Sequence, residues 1–482
     1  MSTNYFAKKP LAVLFKEADD SGEHTLKRTL GATNLVALGI GAIIGAGLFS
    51  ITGGAAANNA GPAVTISFII AAVGCAFAGL CYAEFASMIP VAGSAYTYSY
   101  ATMGRFVAWI IGWDLVLEYA VGAATVSISW SRYLVKFLDH YNVHLPAQMV
   151  MSPWDSITGP DGVVVHGMIN LPAVFIVVLM SMLLMRGTHE SSRVNAVIVA
   201  LKVAVVLIFI GLGWKFINSA NYTPYIPENT GSFGSFGWSG VVRAAGIIFF
   251  AYIGFDAVST AAQEAKNPKR DMPIGILVSL AICTVLYILF AHVMTGLAHY
   301  TEFQGQDGIA PVAVAIEHTP YMWLKQAIIL AILAGYSSVI LVMLLGQSRV
   351  FFSMSKDGLL PSVFSKVHPK FKTPAKSNLL FCGFVSLFAA FVPARVVGEM
   401  TSIGTLFAFV LVCIGVMVMR KTQPEAPRAF KTPLVPLVPV LGILTCFGMM
   451  ASLPLDTWIR LVVWMAIGII IYLGYGHTRA RY

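Results

Sequence analysis

Twelve apolar stretches occupy most of this chain of 482 residues, and together they limit the folds it can adopt. A helix needs about 20 apolar residues to cross the hydrocarbon of a bilayer. Runs of that length indicate helices, because a helix satisfies its own backbone hydrogen bonds in lipid. The stretches cover 32–54, 62–89, 105–137, 170–187, 194–216, 238–261, 273–298, 322–355, 377–394, 397–419, 434–453 and 457–476. We therefore predict an all-α integral membrane protein with 12 transmembrane helices in one integrated domain.

The distribution of charge predicts how the chain is oriented. The alternate loops 139–169, 217–236 and 299–321 contain no Lys or Arg. Positive residues instead lie in the N-terminal tail and in the other loops: Lys8, Lys9, Lys16, Lys27, Arg28, Arg186, Arg193, Lys266, Lys269, Arg270, Lys356, Lys366, Lys370, Lys372, Lys376, Arg420, Lys421, Arg428 and Lys431. An excess of Lys and Arg marks cytoplasmic loops. We expect cytoplasmic tails at 1–31 and 477–482, and no binding of nucleic acid despite the net charge of +9.

The order and length of the spans indicate an internal repeat. The first five spans (32–216) and the next five (238–419) each open with an interrupted helix, and each has an unusually long third helix. An odd number of spans inverts the second block relative to the first. The last two spans, at 434–476, lie outside this five-plus-five inverted repeat. Paired interrupted spans in such repeats are typical of the midplane binding site of a secondary transporter.

The first interruption lies within Gly41–Phe49, read as Gly-Ala-Ile-Ile-Gly-Ala-Gly-Leu-Phe. Gly45 and Gly47 can leave helical geometry at low cost and expose backbone N–H groups. Those donors, at the positive end of a half-helix, suit a carboxylate. The alternative is that Gly41 and Gly45 form a face on which two helices pack closely.

The second interruption lies within Phe249–Asp256, read as Phe-Phe-Ala-Tyr-Ile-Gly-Phe-Asp. A break at Ile253–Gly254 would free carbonyl groups that can accept an ammonium group. Phe250 could cover the same space, or it could be an ordinary core residue. Asp256 stands where the N-cap of the second half-helix would lie, and it could instead handle protons or substrate directly.

Lys202 is a basic residue within an apolar span. It lies nine residues from Arg193 and thirteen from Lys215, or about 13 and 20 Å along a helix, so snorkelling to water is difficult. Such a lysine can lose its proton reversibly and carry protons. The alternative is a permanently charged lysine that bridges to backbone carbonyls.

Three carboxylates also fall within apolar spans. Asp114 and Glu118 are four residues apart and share one helix face. Intramembrane carboxylates usually face a cavity or a partner, although they can also be structural. We expect Glu84, near the inner end of its span, to meet interfacial water. Met343, within the eighth span, reads from the sequence alone as a packing residue.

Several segments give the chain a recognisable resemblance. Gly41–Phe49, Phe249–Thr260 and Gly404–Phe409 are similar to segments of the amino acid–polyamine–organocation superfamily, as are Glu84–Tyr96 and Asn267–Ile276. The chain most closely resembles the cationic amino acid transporter family and its bacterial proton-coupled relatives. The resemblance implies a LeuT-like fold, with broken helices 1 and 6, and proton-coupled uptake of amino acids.

The resemblance also implies roles for individual residues. The substrate carboxylate would meet Gly45, Ala46 and Gly47, and many relatives have Ser or Thr in place of Ala46. The amino group would lie among Phe250, Ala251 and Ile253, with Phe250 closing over the substrate. Lys202 would be the protonation site, and Glu118 and Met343 would set the side-chain selectivity.

These observations predict a secondary active transporter of the plasma membrane, surrounded by lipid. It would import L-amino acids, cationic or of broad specificity, by proton symport and alternating access. The proton would be the coupling ion, without another cofactor or a metal, and no motif indicates an enzyme. An obligate exchanger is the alternative. An amino acid sensor is disfavoured by tails of about 31 and six residues, and no sequence signal bears on an accessory subunit.

Overall fold

The structure is a computed structural model that describes residues 5–14, 30–89, 91, 93–158, 164–186, 191–262, 265–304, 310–369 and 373–481, apart from the side chains of 191–196 and 322–324. Most of the predicted tail 1–31 lies outside the described residues, as do Lys370 and Lys372.

Apolar helices fill the described part of the chain. Eight segments are long and apolar enough to cross a membrane: Ala32–Met88, Arg105–His140, Val197–Phe216, Gly237–Thr260, Pro268–Leu297, Lys325–Lys356, Ala394–Thr422 and Leu455–Arg479. Three shorter apolar helices are Leu171–Arg186, Ala375–Phe391 and Leu437–Ser452. Every predicted stretch coincides with one of these segments, because Ala32–Met88 contains the first two. The chain is therefore a predominantly helical, multi-pass membrane protein.

We number the helices by the predicted stretch that each occupies. They are α1a (Ala32–Ile43), α2 (Val64–Met88), α3 (Arg105–His140), α4 (Leu171–Arg186), α5 (Ser191–Gly213), α6a (Gly237–Ile248), α6b (Ala257–Thr260), α7 (Pro268–Leu297), α8 (Met322–Lys356), α9 (Ala375–Phe391), α10 (Ala394–Thr422), α11 (Leu437–Ser452) and α12 (Leu455–Ile471). Between α1a and α2 the chain forms successive helical turns, Gly47–Ile51, Thr52–Ala55, Ala56–Ala60 and Gly61–Ala63.

Shorter elements join these helices. A short buried helix, Ser94–Thr102, follows α2, and a helix at Pro311–Ile316 precedes α8. Between α3 and α4 the chain forms a small antiparallel hairpin of β1 (Ser156–Thr158) and β2 (Val164–His166), in which Ile157 is paired with Val165. This hairpin is not part of the predicted all-α architecture.

Helix packing follows a regular rule. Three pairs of helices five positions apart contact each other: α2 packs on α7, α3 on α8 and α4 on α9. Contacts between other pairs are also repeated after a shift of five. For example, α1a contacts α5 and α7, while α6a contacts α10 and α2. Likewise α5 packs on α8, and α10 packs on α3. Many of the helix contacts are therefore preserved when the two five-helix blocks are exchanged.

A buried ion cluster joins α2 to the segment that follows α10. Glu84 is 1% exposed, although we expected it to meet interfacial water. Arg420 donates to both of its carboxylate oxygens, at 2.8 Å each, and Arg428 donates to Oε1 at 3.1 Å. The backbone N–H of Thr432 donates to Oε2 at 2.8 Å. The expectation for Glu84 was wrong because its partners lie more than 300 residues further along the chain.

Replacement of Glu84 by alanine tests this cluster. The change would leave two guanidinium groups facing each other without a counter-charge, and breaking a buried ion pair typically costs about 3 to 5 kcal/mol. We expect a clear fall in the melting temperature of the purified protein in detergent. Glu425→Ala removes an exposed carboxylate from the same segment and serves as the control. Equal melting temperatures for the two variants would contradict this account of the cluster.

Candidate functional site

The first predicted interruption is a real break in the helix. Helix α1a ends at Ile43, and Ile44 is extended, with φ −72° and ψ 104°. The chain becomes helical again in the turn Gly47–Ile51, after the carbonyl of Gly45 has accepted from the N–H groups of Leu48 and Phe49. Among the described residues, the N–H of Gly45 donates to no backbone carbonyl. One donor of the predicted carboxylate site is therefore unused by the main chain.

The second predicted interruption is also a break. Helix α6a ends at Ile248 and is followed by a tight 3₁₀ turn, Phe249–Tyr252. Ile253 is extended, with φ −60° and ψ 133°. Gly254 then has a φ of +122°, a conformation that favours glycine because a Cβ would clash with the backbone. The break therefore falls at Ile253–Gly254, as the sequence predicts.

The two breaks contact each other directly. A Cβ on Gly47 would lie 2.1 Å from the Cα of Ala251, and a Cβ on Gly254 would lie 2.7 Å from the carbonyl carbon of Ala42. Each contact places a glycine of one break against the alanine that precedes the other break. The structure therefore represents a closed arrangement, in which the main chains of the two breaks touch.

Side chains from other helices satisfy the carbonyls at the end of α1a. The Tyr287 hydroxyl of α7 lies 2.8 Å from the carbonyl oxygen of Ile43 and 2.9 Å from that of Ala251, so it can donate to either break. Lys202 Nζ donates to the carbonyl oxygen of Gly41 at 2.7 Å. A cation at this position also interacts favourably with the negative end of the helix dipole.

The Lys202 side chain lies in a space that a glycine of α8 leaves open. Its side chain is 2% exposed, and a Cβ on Gly335 of α8 would lie 2.9 Å from its Cε. A larger residue in α8 would displace the lysine from the end of α1a. The contact with Gly41 is the bridge to a carbonyl that we considered as the alternative role, and the protonation role remains a prediction.

Asp256 does not cap the second half-helix with its side chain. It immediately precedes α6b, but it accepts no hydrogen bond from the first turn of that helix. Its Oδ2 accepts from the Tyr119 hydroxyl at 2.7 Å, and its Oδ1 accepts from the N–H of Gly254 at 3.2 Å. The capping hypothesis is therefore wrong, because the carboxylate turns back to the break and across to α3.

Glu118 lies at a local irregularity of α3. Residues Leu117–Val121 form a π-helical turn, and such turns are frequent at functional sites. The Glu118 side chain is fully buried beside Asp256 and Thr405. The structure thus brings together Glu118 and Asp256, for which we predicted separate roles.

The remaining predicted residues are buried around the breaks. Ala46, Phe250 and Ile253 are each at most 3% exposed. Met343 of α8 packs against α3, where its sulfur would lie 3.3 Å from a Cβ on Gly122. The sequence analysis missed Tyr287 and Tyr119, which hold the two breaks. Tyrosines in the middle of apolar spans, rather than at the membrane interfaces where they are enriched, would have been the signal.

Comparison with known proteins agrees with this arrangement. Residues 30–473 match the model of a protein family described as amino acid permease. The chain belongs to the amino acid permease family. This family is part of the amino acid–polyamine–organocation superfamily that the sequence resembles.

Relatives of this permease cover almost its whole length. It is 44% identical over 481 residues to the branched-chain amino acid permease BcaP of Bacillus subtilis, covering 100% of this chain and 99% of the relative. It is 42% identical to a methylthioribose transporter of the same organism, covering 99% of each protein. The cationic amino acid transporter 4 of Arabidopsis thaliana is 34% identical over 84% of this chain and 65% of its own length. These relatives are named as transporters and not as enzymes, and the permease is likewise no enzyme.

A methyl group on Gly47 tests the contact between the two breaks. Gly47→Ala would force the backbones around Ala251 apart, and overpacking of this kind costs about 1 to 3 kcal/mol. We expect a lower melting temperature and strongly reduced substrate uptake. Gly54→Ala, in the same broken span, is a matched control, because no atom lies within 4 Å of its added Cβ. If both variants behaved like the unmodified permease, the closed contact would have no functional importance.

Proposed function

We propose that this permease imports L-amino acids across the plasma membrane by proton symport and alternating access. The observation that carries the proposal is the pair of broken helices whose interruptions meet inside the protein. In lipid, a non-helical backbone is tolerated only where it is buried in protein or lines a cavity. The unused N–H at Gly45 and the carbonyls of Ile43 and Ala251 provide donors and acceptors for the two poles of a zwitterion.

The proposal includes a fold of 12 transmembrane helices, with a five-plus-five inverted repeat and α11 and α12 outside it. The contact pattern supports this fold, because many of its helix pairs recur when α1–α5 are exchanged with α6–α10. Helices at corresponding positions also touch in three pairs, α2 and α7, α3 and α8, and α4 and α9, as expected around a pseudo-two-fold axis between inverted repeats.

The orientation that we propose places both termini in the cytoplasm. The absence of Lys and Arg from loops 139–169, 217–236 and 299–321 supports it. Contacts of Asp357, at the end of α8, also place the N-terminal and C-terminal segments on the same side of the protein. Its Oδ1 accepts from Lys9 Nζ of the N-terminal segment at 2.9 Å, and its backbone carbonyl accepts from the N–H of Arg481. Both chain ends therefore meet the same end of α8.

For the substrate, we propose amino acids with a range of side chains. The names of the relatives support branched-chain and cationic amino acids, and one names methylthioribose as a second candidate. Glu118 favours a cationic side chain, whereas the volume of Met343 favours small or apolar ones. Glu118 is buried on α3, and Met343 of α8 is buried where it packs against Gly122 of α3.

Lys202 is the residue that we propose to couple proton movement to closure. Its contact with Gly41 links α5 to the broken end of α1a. Loss of the proton would remove the charge that faces these carbonyls and would favour a different position of α1a. A proton and a substrate that both favour the closed state are coupled to each other through the shared equilibrium.

Uptake into proteoliposomes tests the coupling. With an inward proton gradient, we expect the unmodified permease to accumulate amino acid, and Lys202→Ala to lose accumulation against a substrate gradient. Lys215→Ala, which removes an exposed lysine just beyond α5, should retain it. Accumulation by the Lys202→Ala variant would overturn the proton-coupling role. Uptake that occurs only into preloaded vesicles would instead identify an obligate exchanger.

A thermal-shift panel tests the substrate class. A ligand at 100 times its dissociation constant stabilises a protein by about 2.7 kcal/mol. We expect leucine, isoleucine, valine, arginine and lysine each to raise the melting temperature, with Glu118→Gln losing only the response to arginine and lysine. Stabilisation by methylthioribose alone would show that amino acids are not the substrates.

A further inference from the structure

Beside the second break lies a group of buried carboxyls, none of which forms an ion pair with another described residue. All four carboxylate oxygens of Asp114 and Glu118 lack a hydrogen-bond partner among the described residues, and both side chains are 0% exposed. Glu118 lies beside Asp256, and it interacts electrostatically with Asp114. Three carboxyls so close together, away from water, cannot all carry a negative charge.

An amide on α8 lies against the same stretch of α3. Gln347 is 0% exposed, and neither of its amide atoms has a partner among the described residues. Contacts on either side fix its direction: Met343 packs at Gly122, and Met354 packs at Gly112. Residues 343, 347 and 354 share one face of α8, so Gln347 points at the stretch of α3 between these glycines. That stretch contains both unpartnered carboxyls.

The other titratable groups around the cluster are tyrosines, cysteines and one arginine. Tyr82 and Cys75 of α2 interact with Asp256, and so does Tyr98 of the buried helix Ser94–Thr102. Cys413 of α10 lies near Tyr82, and Tyr119 donates to Asp256. From α8, Arg349 donates at 3.4 Å to the carbonyl of Thr260, one turn beyond Asp256. Among the described residues, none of the recorded ion pairs joins Arg349, or any other cation, to Asp114, Glu118 or Asp256.

The carboxyl cluster lies at the same helix junction in one five-helix block as Lys202 does in the other. The lysine, on α5, lies against α1a and against Gly335 of α8. In the internal repeat, the helices equivalent to α5, α1 and α8 are α10, α6 and α3. Those are the helices around the cluster: Asp256 follows α6a, while Asp114 Oδ1 would lie 3.2 Å from a Cβ on Gly404 of α10. One half of the repeat therefore holds a buried base, and the other half holds buried acids at the equivalent helix junction.

We propose that Asp114 and Glu118, beside Asp256, form a second proton-binding site, equivalent by the internal repeat to the Lys202 site. The inference rests on the proposed function for its role in transport. In the closed state, when no cationic substrate side chain is bound, Asp114 and Glu118 hold protons, because unpartnered carboxylates would be too costly to bury. When the helices around it separate and water enters, the carboxyls can ionise and release those protons. Metal binding is a weaker interpretation, because no group of three such ligands in the described residues has metal-site geometry.

Infrared spectroscopy tests the protonation without requiring transport. Protonated carboxylic acids have a carbonyl-stretch band that carboxylates lack, so we expect this band in the purified permease at neutral pH, and we expect substrate, which favours the closed state, to strengthen it. Asp114→Asn and Glu118→Gln should each reduce it, and raising the pH should abolish it. Glu399→Gln is the matched control. Glu399 is also buried, but its carboxylate accepts from Thr457 and pairs with Arg460, so Glu399→Gln should leave the band unchanged.

The outcomes separate this proposal from the proposed function. A neutral-pH spectrum without the band, or a band unchanged in both Asp114→Asn and Glu118→Gln, would overturn the proton site. A band that disappears when sodium replaces choline in the buffer would overturn it in favour of a cation site. A failure of amino acids to bind would contradict the proposed function and leave the infrared result intact.

Substrate affinity then tests the link between the site and closure. Because the closed state binds more protons, affinity should be highest at low pH and should fall as the pH rises. Each proton taken up contributes at most about one log unit of affinity per pH unit. We expect Asp114→Asn to lower this slope and Glu399→Gln to preserve it. An unchanged slope in Asp114→Asn would show that the cluster does not take part in closure.

Discussion

The hydrogen bonds of the interrupted main chain govern this structure. A break within a membrane helix frees carbonyl and N–H groups that lipid cannot satisfy, so the protein must supply partners. Here the partners come from other helices: Tyr287 serves the carbonyls of both breaks, and Lys202 serves that of Gly41. Each unsatisfied buried group would cost about 1 to 3 kcal/mol. These partners therefore determine where α5 and α7 must lie relative to α1a.

Glycine allows the two breaks to reach these shared partners. Tyr287 can serve Ile43 and Ala251 together only if the two backbones approach closely. That approach leaves no space for a Cβ at Gly47 or Gly254. The close approach of the two backbones at these glycines thus explains both the contact between the broken helices and the sharing of the Tyr287 hydroxyl. A substitution at either glycine should therefore disturb the hydrogen bonds of both breaks, and not only the local packing.

The sequence was a good guide to features that arise locally and a poor one to features that depend on distant partners. The apolar stretches and the glycine-rich interruptions predicted the helices and both breaks, because span length and loss of helical geometry are properties of the local chain. Tyr287 was missed because its role depends on two carbonyls, one of which lies 244 residues away. The wrong expectations for Glu84 and Asp256 have the same origin, since their partners Arg420 and Tyr119 come from other helices.

The single proton of Tyr287 has a consequence for opening. A hydroxyl has one proton, so it can fully satisfy only one of the two carbonyls, and the closed state already leaves one weakly bonded. If the breaks separate, Tyr287 can follow only one of them, and the carbonyl on the other needs a new donor. Under the proposed function, the ammonium group of the substrate has three N–H donors and meets this need. Substrate that binds the open breaks would supply this hydrogen bond and keep it as they close, which gives the two broken helices a physical reason to close around an amino acid.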